Sequence, residues 1–162
     1  MAELFFSPCP RGLEAALADE LQALGAQGAK AVGGGVEWRG DWPACYRANL
    51  ESRLATRVLW RVGSARYRAE IDIYKFAWSL TWAKWFTADD SIRVFVTARR
   101  SPLKSLEFIT LRVKDAVCDH FRAVAGRRPN VDTANPAMRI HAFLDADTVT
   151  LYLDTSGPAL YK

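Results

Sequence analysis

The chain has 162 residues, enough for one ordinary domain or two small ones, but too few for most cofactor-dependent enzymes that also carry separate recognition modules. Half of the residues are hydrophobic and a quarter charged, a globular composition that excludes a disordered tail, a collagen-like repeat and a membrane protein. The net charge of +4 is uneven: residues 90–130 carry nine basic and four acidic groups, net +5, a footprint that suits a phosphate-bearing partner and equally a solvated charged face.

Leu4-Phe5-Phe6 is a short apolar run, ended by Ser7-Pro8-Cys9-Pro10. Leu13, Leu17, Leu21 and Leu24 then recur at helical spacing until Gly25 stops them. Ala29–Val32 and Val36–Arg39 are strand-sized pieces around Gly33-Gly34-Gly35, a hairpin-like junction where glycine permits positive φ. No helix opens directly behind that triplet in a GxGxxG frame, so it reads as a turn and not as a phosphate cradle. Asp41 caps a helix with Pro43 in its first turn; Cys45, Ala48 and Leu50 partly line its inner face, and Val58–Val62 follows as a strand. The order βαββαβ within about 65 residues is the ferredoxin-like arrangement, a superfold that names no function.

A second unit begins near Tyr67, dividing the chain into 1–66 and 67–162. Tyr74, Trp78, Trp82 and Trp85 share one helical stripe, which reads as packing. Ile92, Val94, Val96 and Ala98 alternate with Arg93, Phe95, Thr97 and Arg99, a strand with one buried side and one mixed side that delivers Arg99 and Arg100 to its exit loop. From about Lys104 a long helix turns Ile109, Val113, Ala116, Val117, Phe121 and Val124 inward, and Gly126 ends it. On its outer face Arg112 with Asp115, and Asp119 with Arg122, have i, i+3 spacing, whereas Lys114 has no acidic residue at i+3 or i+4. Gly126-Arg127-Arg128-Pro129-Asn130 is a basic loop stiffened by its proline. Ile140, Ala142 and Leu144 face Val149, Leu151 and Leu153 across an Asp145-Ala146-Asp147 turn, a closing hairpin. No Gly/Ser linker separates the units, so they are expected to dock.

Catalytic chemistry is not visible. Cys9, Cys45 and Cys118 are odd in number and widely spaced, which suggests neither a disulfide framework nor a zinc site. His120 and His141 have no triad or metal-ligand spacing around them. Asn135-Pro136-Ala137 lacks the second proline and the aromatic of the amino-methyltransferase signature Asn-Pro-Pro-aromatic. No export signal, membrane anchor or glycine-rich nucleotide turn is present, so a cytoplasmic chain without metal, membrane partner or cofactor of its own is expected.

Six segments in order carry a resemblance: Cys9–Glu14; Gly34-Gly35-Val36 through Gly40-Asp41; Ala48-Asn49-Leu50 through Val58; Val113–Val117; Arg128–Asp132; and Leu153–Gly157. Together they resemble the N-terminal half of THUMP-containing RNA methyltransferases of the RlmL type, which methylate a guanine N2 in 23S ribosomal RNA. The resemblance implies an α+β fold in which a ferredoxin-like domain, 1–66, is docked on an α/β THUMP domain, 67–162, with a profile-defined start of the second nearer residue 43. It also implies a missing C-terminal Rossmann-like domain that binds S-adenosylmethionine, and RNA, foremost 23S rRNA, as partner; on this reading the chain is a piece cut from a longer protein and carries no catalytic residue. Physical reasoning places RNA contacts at Arg99, Arg100 and Lys104 on the strand exit, Lys114 on the helix, and Arg127, Arg128 and Asn130 on the proline loop: arginines on phosphates, Lys114 as a mobile charge, Asn130 on a 2′-OH or base edge. Two rivals are a THUMP module of a tRNA-modifying enzyme and a module for domain packing or dimerisation.

Overall fold

The computed structural model describes residues 2–156. Gly157, which ends the last of the six segments, and Leu160-Tyr161-Lys162 lie outside the described residues. The chain divides into two compact units, Met1–Arg61 with Asp154–Ser156, and Val62–Leu153.

The first unit runs β1 (Glu3–Pro8), α1 (Glu14–Ala23), β2 (Gln27–Val32), β3 (Gly35–Gly40), α2 (Trp42–Glu51) and the start of β4 (Leu59–Arg66). Its strands lie in the order β2-β3-β1-β4 with antiparallel neighbours, Phe5 standing opposite both Trp38 and Trp60. This is the split βαβ pattern that the sequence predicts, and the unit is ferredoxin-like. Phe5, Val36 and Trp38 from the strands meet Leu17 and Leu21 of α1 and Ala44, Cys45 and Ala48 of α2 in its core. Phe5 and Trp38 stack with ring centroids 4.6 Å apart, and the indole N–H of Trp38 donates to the buried Ser7 hydroxyl, so no polar atom of the ring is stranded. The capping carboxylate of Asp41 accepts from the Ala44 amide as expected. Leu50 departs from the expectation: it is 69% exposed, because a step of two residues from Ala48 turns roughly 200° round the helix and away from the core. Gly35 is required by contact, since a Cβ there would lie 2.5 Å from the Ser7 carbonyl oxygen.

The second unit takes up the rest of β4 and continues with α3 (Glu70–Ser79), a 3-10 turn (Trp82–Lys84), β5 (Ile92–Ala98), α4 (Leu106–Ala125), β6 (Met138–Leu144) and β7 (Thr148–Asp154). Its strand order is β4-β7-β6-β5. β5 and β6 are parallel, and β6 and β7 form the closing hairpin in the predicted register, Ile140 opposite Leu153 and Leu144 opposite Val149. Helix α4 starts at a Ser105 cap and ends at Gly126, whose φ of 76° is the left-handed stop that glycine allows. The aromatic stripe is not one helix. α3 ends at Ser79, so Trp78 is 39% exposed, while Trp82, in the 3-10 turn, is fully buried and donates its indole N–H to the Ala77 carbonyl. β4 outruns its expected end at Val62 because the apolar alternation is interrupted by Gly63, where a Cβ would press on Phe76 and Leu80 at about 3 Å.

Two carboxylates on α1 tie the first unit's loops together. Glu14 accepts from the amides of Gly12 and Gly34, chiefly the latter, which holds its pKa below the usual value. Partial burial pushes the Glu20 carboxyl up, but the Ser52 hydroxyl and the amides of Arg53 and Leu54 outweigh it, and the net direction is down. A depressed folded-state pKa contributes stability that is present above the unfolded value and is lost as pH falls through the folded one. Replacing both (Glu14→Gln with Glu20→Gln) is therefore expected to lower Tm by a few degrees at pH 7 and to bring the variant towards the parent as the pH falls below the ordinary carboxylate range, a convergence that thermal unfolding across pH will read.

Candidate nucleic-acid interface

The seven predicted contact residues do not converge; the second unit spreads them over two ends and a helix. Arg99 and Arg100 follow the last residue of β5, and the Arg99 amide donates to the Leu144 carbonyl at the matching end of β6. The Arg127–Asn130 loop sits at the opposite end of β5, where the Ile92 amide donates to the Asn130 carbonyl and Val131 bridges Ile92. Seven residues of strand separate these ends by about 20 Å, and α4 covers the distance in between.

At the exit end, Arg99, Arg100 and Lys104 are exposed, and none of the three makes an ion pair among the described residues. The loop that carries them is not loose. Tyr67, 3% exposed, donates its hydroxyl proton to the Asp145 carbonyl, and the Ser101 hydroxyl bonds Tyr67 at 2.7 Å while accepting from the Leu103 amide. One phenol thus pins three segments: the β4–α3 connection, the β5 exit and the β6–β7 turn. Arg100 has φ 61°, a left-handed conformation that a non-glycine residue holds only when its surroundings impose it. Beside this loop Arg66, Tyr67, Arg68, Asp72 and Asp147 line an open cleft of about 560 Å³. Its carboxylates are occupied. Asp72 accepts from the amides of Arg68 and Ala69, which lowers its pKa, and Asp147 lies 3.6 Å from the Arg66 guanidinium. Sequence reasoning misses Arg66, Tyr67 and Arg68 as a group; the only local signal is a Tyr close to two arginines at the end of a strand.

Lys114 is not a free charge. Its ammonium lies 2.6 Å from Asp115, one residue on, and Arg128 reaches the same Asp115 at 3.8 Å and Asp119 at 4.0 Å. Asp119 also accepts from the Tyr74 hydroxyl at 2.6 Å, and this bond is the main cause of a raised tyrosine pKa. Arg112 lies over the Tyr74 ring at 4.6 Å. The two i, i+3 pairs expected on α4 are thereby replaced by a network that joins α3, α4 and the proline loop. Cys118 lies within it, its thiol pushed up by burial and drawn back by Arg128. Arg127 pairs with Asp89 at 2.6 Å on the surface, and Asn130 is exposed. His120 donates to, or accepts from, nothing that suggests a ligand set: its Nδ1 lies 2.9 Å from the Trp78 carbonyl oxygen. Among the described residues no group of three or more His, Cys, Asp or Glu is placed to hold a metal, and no helix is long and apolar enough to cross a membrane.

Comparison with known proteins assigns both units. Residues 4–59 match the model of the RlmL ferredoxin-like domain, and residues 67–154 that of the THUMP domain. The chain is 37% identical over 158 residues to the ribosomal RNA large subunit methyltransferase K/L of Syntrophotalea carbinolica, covering 98% of this chain but 22% of that protein. Among solved structures, a predicted N6-adenine-specific DNA methylase from Listeria monocytogenes matches with TM-score 0.82 and 26% identity over 95% of this chain and 40% of its own. SMU.472, complexed with SAH, has TM-score 0.83 at 23% identity, covering 99% and 43% respectively, and shares the fold.

The pinning role of Tyr67 is open to direct measurement. Tyr67→Phe is expected to destabilise the protein by about 1–3 kcal/mol in urea unfolding, the cost of losing two part-buried hydrogen bonds. Hydrogen exchange should speed up at the Ser101–Leu103 amides and not at α1.

Proposed function

Because the chain belongs to the THUMP domain family, we propose that it is the RNA-binding N-terminal module of an S-adenosylmethionine-dependent methyltransferase that modifies guanine N2 in 23S ribosomal RNA. The proposal assigns 1–66 to the ferredoxin-like domain and 67–162 to the THUMP core. Methyl transfer belongs to a C-terminal Rossmann-like domain in cis, in keeping with a chain that spans only 22% of the length of its methyltransferase K/L relative.

Among the described residues, the turn from β1 into α1 does not fit S-adenosylmethionine. The turn from β1 into α1 carries Pro8 and Pro10, the Cys9 amide is given to the Gly34 carbonyl, and the Gly12 amide is given to Glu14. No backbone cradle is left there for the cofactor, and no step of its chemistry is assigned to this chain.

The observation that carries the reading is the exit loop of β5. Three exposed cations that make no ion pair among the described residues stand on a loop that a buried tyrosine holds in place, so they can meet phosphates without first giving up a carboxylate there. Binding of this kind draws on release of the counterions condensed on RNA, and A-form helices offer backbone and 2′-OH groups as the readable surface. Arg99, Arg100 and Lys104 take phosphates in this scheme. Arg127, Arg128 and Asn130 add contacts at the far end of β5, with Asn130 on a 2′-OH or base edge, and Lys114 contributes a charge shared with Asp115. The module positions the RNA, and an unpaired or flipped guanine is presented to the catalytic domain.

Anisotropy titration of a labelled 23S rRNA stem-loop between about 50 and 200 mM salt tests this. Log affinity is expected to fall linearly with log salt, and replacing Arg99, Arg100 and Lys104 together by Ala should reduce the slope by roughly 2 to 3, near 0.7–0.9 for each phosphate that is no longer neutralised. Absence of binding at low salt, an unchanged slope, or displacement by tRNA with an intact 3′ end in preference to rRNA fragments would each count against the assignment.

A further inference from the structure

The cleft beside the β5 exit loop has a chemistry that phosphate binding alone does not use. Two guanidiniums and two carboxylates line it, those of Arg66, Arg68, Asp72 and Asp147, with Tyr67 among them. A site for phosphate gains nothing from acids, because each carboxylate opposes the charge that the arginines attract. The two carboxylates differ. Asp147 is 61% exposed, with one oxygen on the Thr148 hydroxyl and the other 3.6 Å from the Arg66 guanidinium. Arg66 is itself 86% exposed, so water screens that pair and it contributes little.

Asp72 is half-buried, and its occupation is one-sided. The amides of Arg68 and Ala69 both donate to Oδ2, at 2.9 and 3.2 Å, while Oδ1 accepts no hydrogen bond among the described residues. The two amide bonds hold the pKa below the ordinary value and fix the carboxylate at the first turn of α3. Oδ1 is thus an ionised, oriented acceptor with capacity to spare. Arg68 lines the same cleft, is exposed, and makes no ion pair among the described residues.

We propose that this cleft holds one ribonucleotide of the bound RNA, its phosphate on the Arg68 guanidinium and its ribose 2′-OH donated to Asp72 Oδ1. The proposal rests on the RNA reading above and adds a place where ribose is told from deoxyribose. A 2′-OH is the donor that RNA has and DNA lacks, and it lies one sugar away from a phosphate, so the nucleotide asks for an acceptor and a cation side by side. Phosphate alone is opposed by Asp72, a neutral sugar leaves Arg68 unused, and a basic peptide meets Arg99, Arg100 and Lys104 next to the cleft. Continuity favours RNA as well. The Tyr67 hydroxyl bonds Ser101 of the exit loop, so a strand whose phosphates lie on that loop's cations reaches the cleft. Its volume of about 560 Å³ is of the size that small ligands fill.

The test uses the whole chain and the labelled 23S rRNA stem-loop, read by anisotropy, with single 2′-deoxy substitutions walked along the RNA. One position should cost about 3- to 10-fold in affinity, as expected for a hydrogen bond to a charged group at a half-open site. A 2′-O-methyl group at that position, which keeps the oxygen and removes the donated proton, should cost at least as much. In Asp72→Ala the 2′-deoxy penalty should shrink to within about 2-fold. That ratio is insensitive to a folding defect, which weakens both RNAs alike, and the 2′-O-methyl measurement needs no variant. Arg68→Gln should reduce the salt slope by roughly 0.7–0.9. A 2′-deoxy walk without any sensitive position, a penalty that survives in Asp72→Ala, or a salt slope unchanged in Arg68→Gln overturns the proposal while the RNA reading stands. So does displacement of the RNA by micromolar adenosine 5′-monophosphate, which would assign the cleft to a free nucleotide. Failure of the unaltered chain to bind RNA at low salt removes that reading and the proposal with it.

Discussion

The register of β5 against β6 is the constraint on which the second unit turns. Ile92 stands opposite Met138 and Ala98 opposite Leu144, without a bulge in between. In a sheet with helices on one face, a slip of a single residue would exchange Val94 and Ile140 for Phe95 and His141 in the core, and leave arginines buried. The same register fixes where the chain emerges. Because β5 and β6 are parallel, Arg99 leaves the sheet beside Leu144 and the β6–β7 turn, which puts the Tyr67 hydroxyl within reach of both Ser101 and the Asp145 carbonyl.

Much of this is legible in the sequence where the signal is local or periodic. Leu17 and Leu21 sit at the predicted spacing and are fully buried, and the Ile140–Leu153 hairpin pairs as its alternation implies. What sequence does not show depends on partners far along the chain. Trp82 looks helical from Trp78 until Ser79 ends α3, and only the Ala77 carbonyl then satisfies its indole. Gly63 looks like the end of a strand; it is a passage through which Phe76 and Leu80 press on β4. Lys114 looks unpaired because helical rules search i+3 and i+4, whereas Asp115 meets it at i+1 and Arg128 approaches the same carboxylate from the loop.

The candidate site is legible as a charge count and not as a place. The +5 block in residues 90–130 is contiguous in sequence, but a strand of seven residues and a helix of 20 run through it, and α4 alone spans about 30 Å. At physiological salt that exceeds the roughly 8 Å screening length several times over. The two ends therefore act as separate patches, and what matters at each is the nearest carboxylate. By that measure Arg99, Arg100 and Lys104 differ from Lys114 and Arg128 although all five are basic residues of one block.

The mixed side of β5 is visible in the sequence as Arg93, Phe95 and Thr97, but its meaning needs β6 and β7. On one strand an Arg followed two residues later by a Phe is an ordinary solvated edge. Three strands in register make it a row of rings beside a pair of guanidiniums, with each ring already packed on a neighbour. That packing has a cost and a return: the rings give up rotamer freedom within the fold, and the stacked and edge-to-face contacts offset part of that loss. Because the row leaves part of its apolar area in water, it stabilises less than the fully buried Ile92, Ile140 and Leu151 on the opposite face, and it is those residues that hold the register.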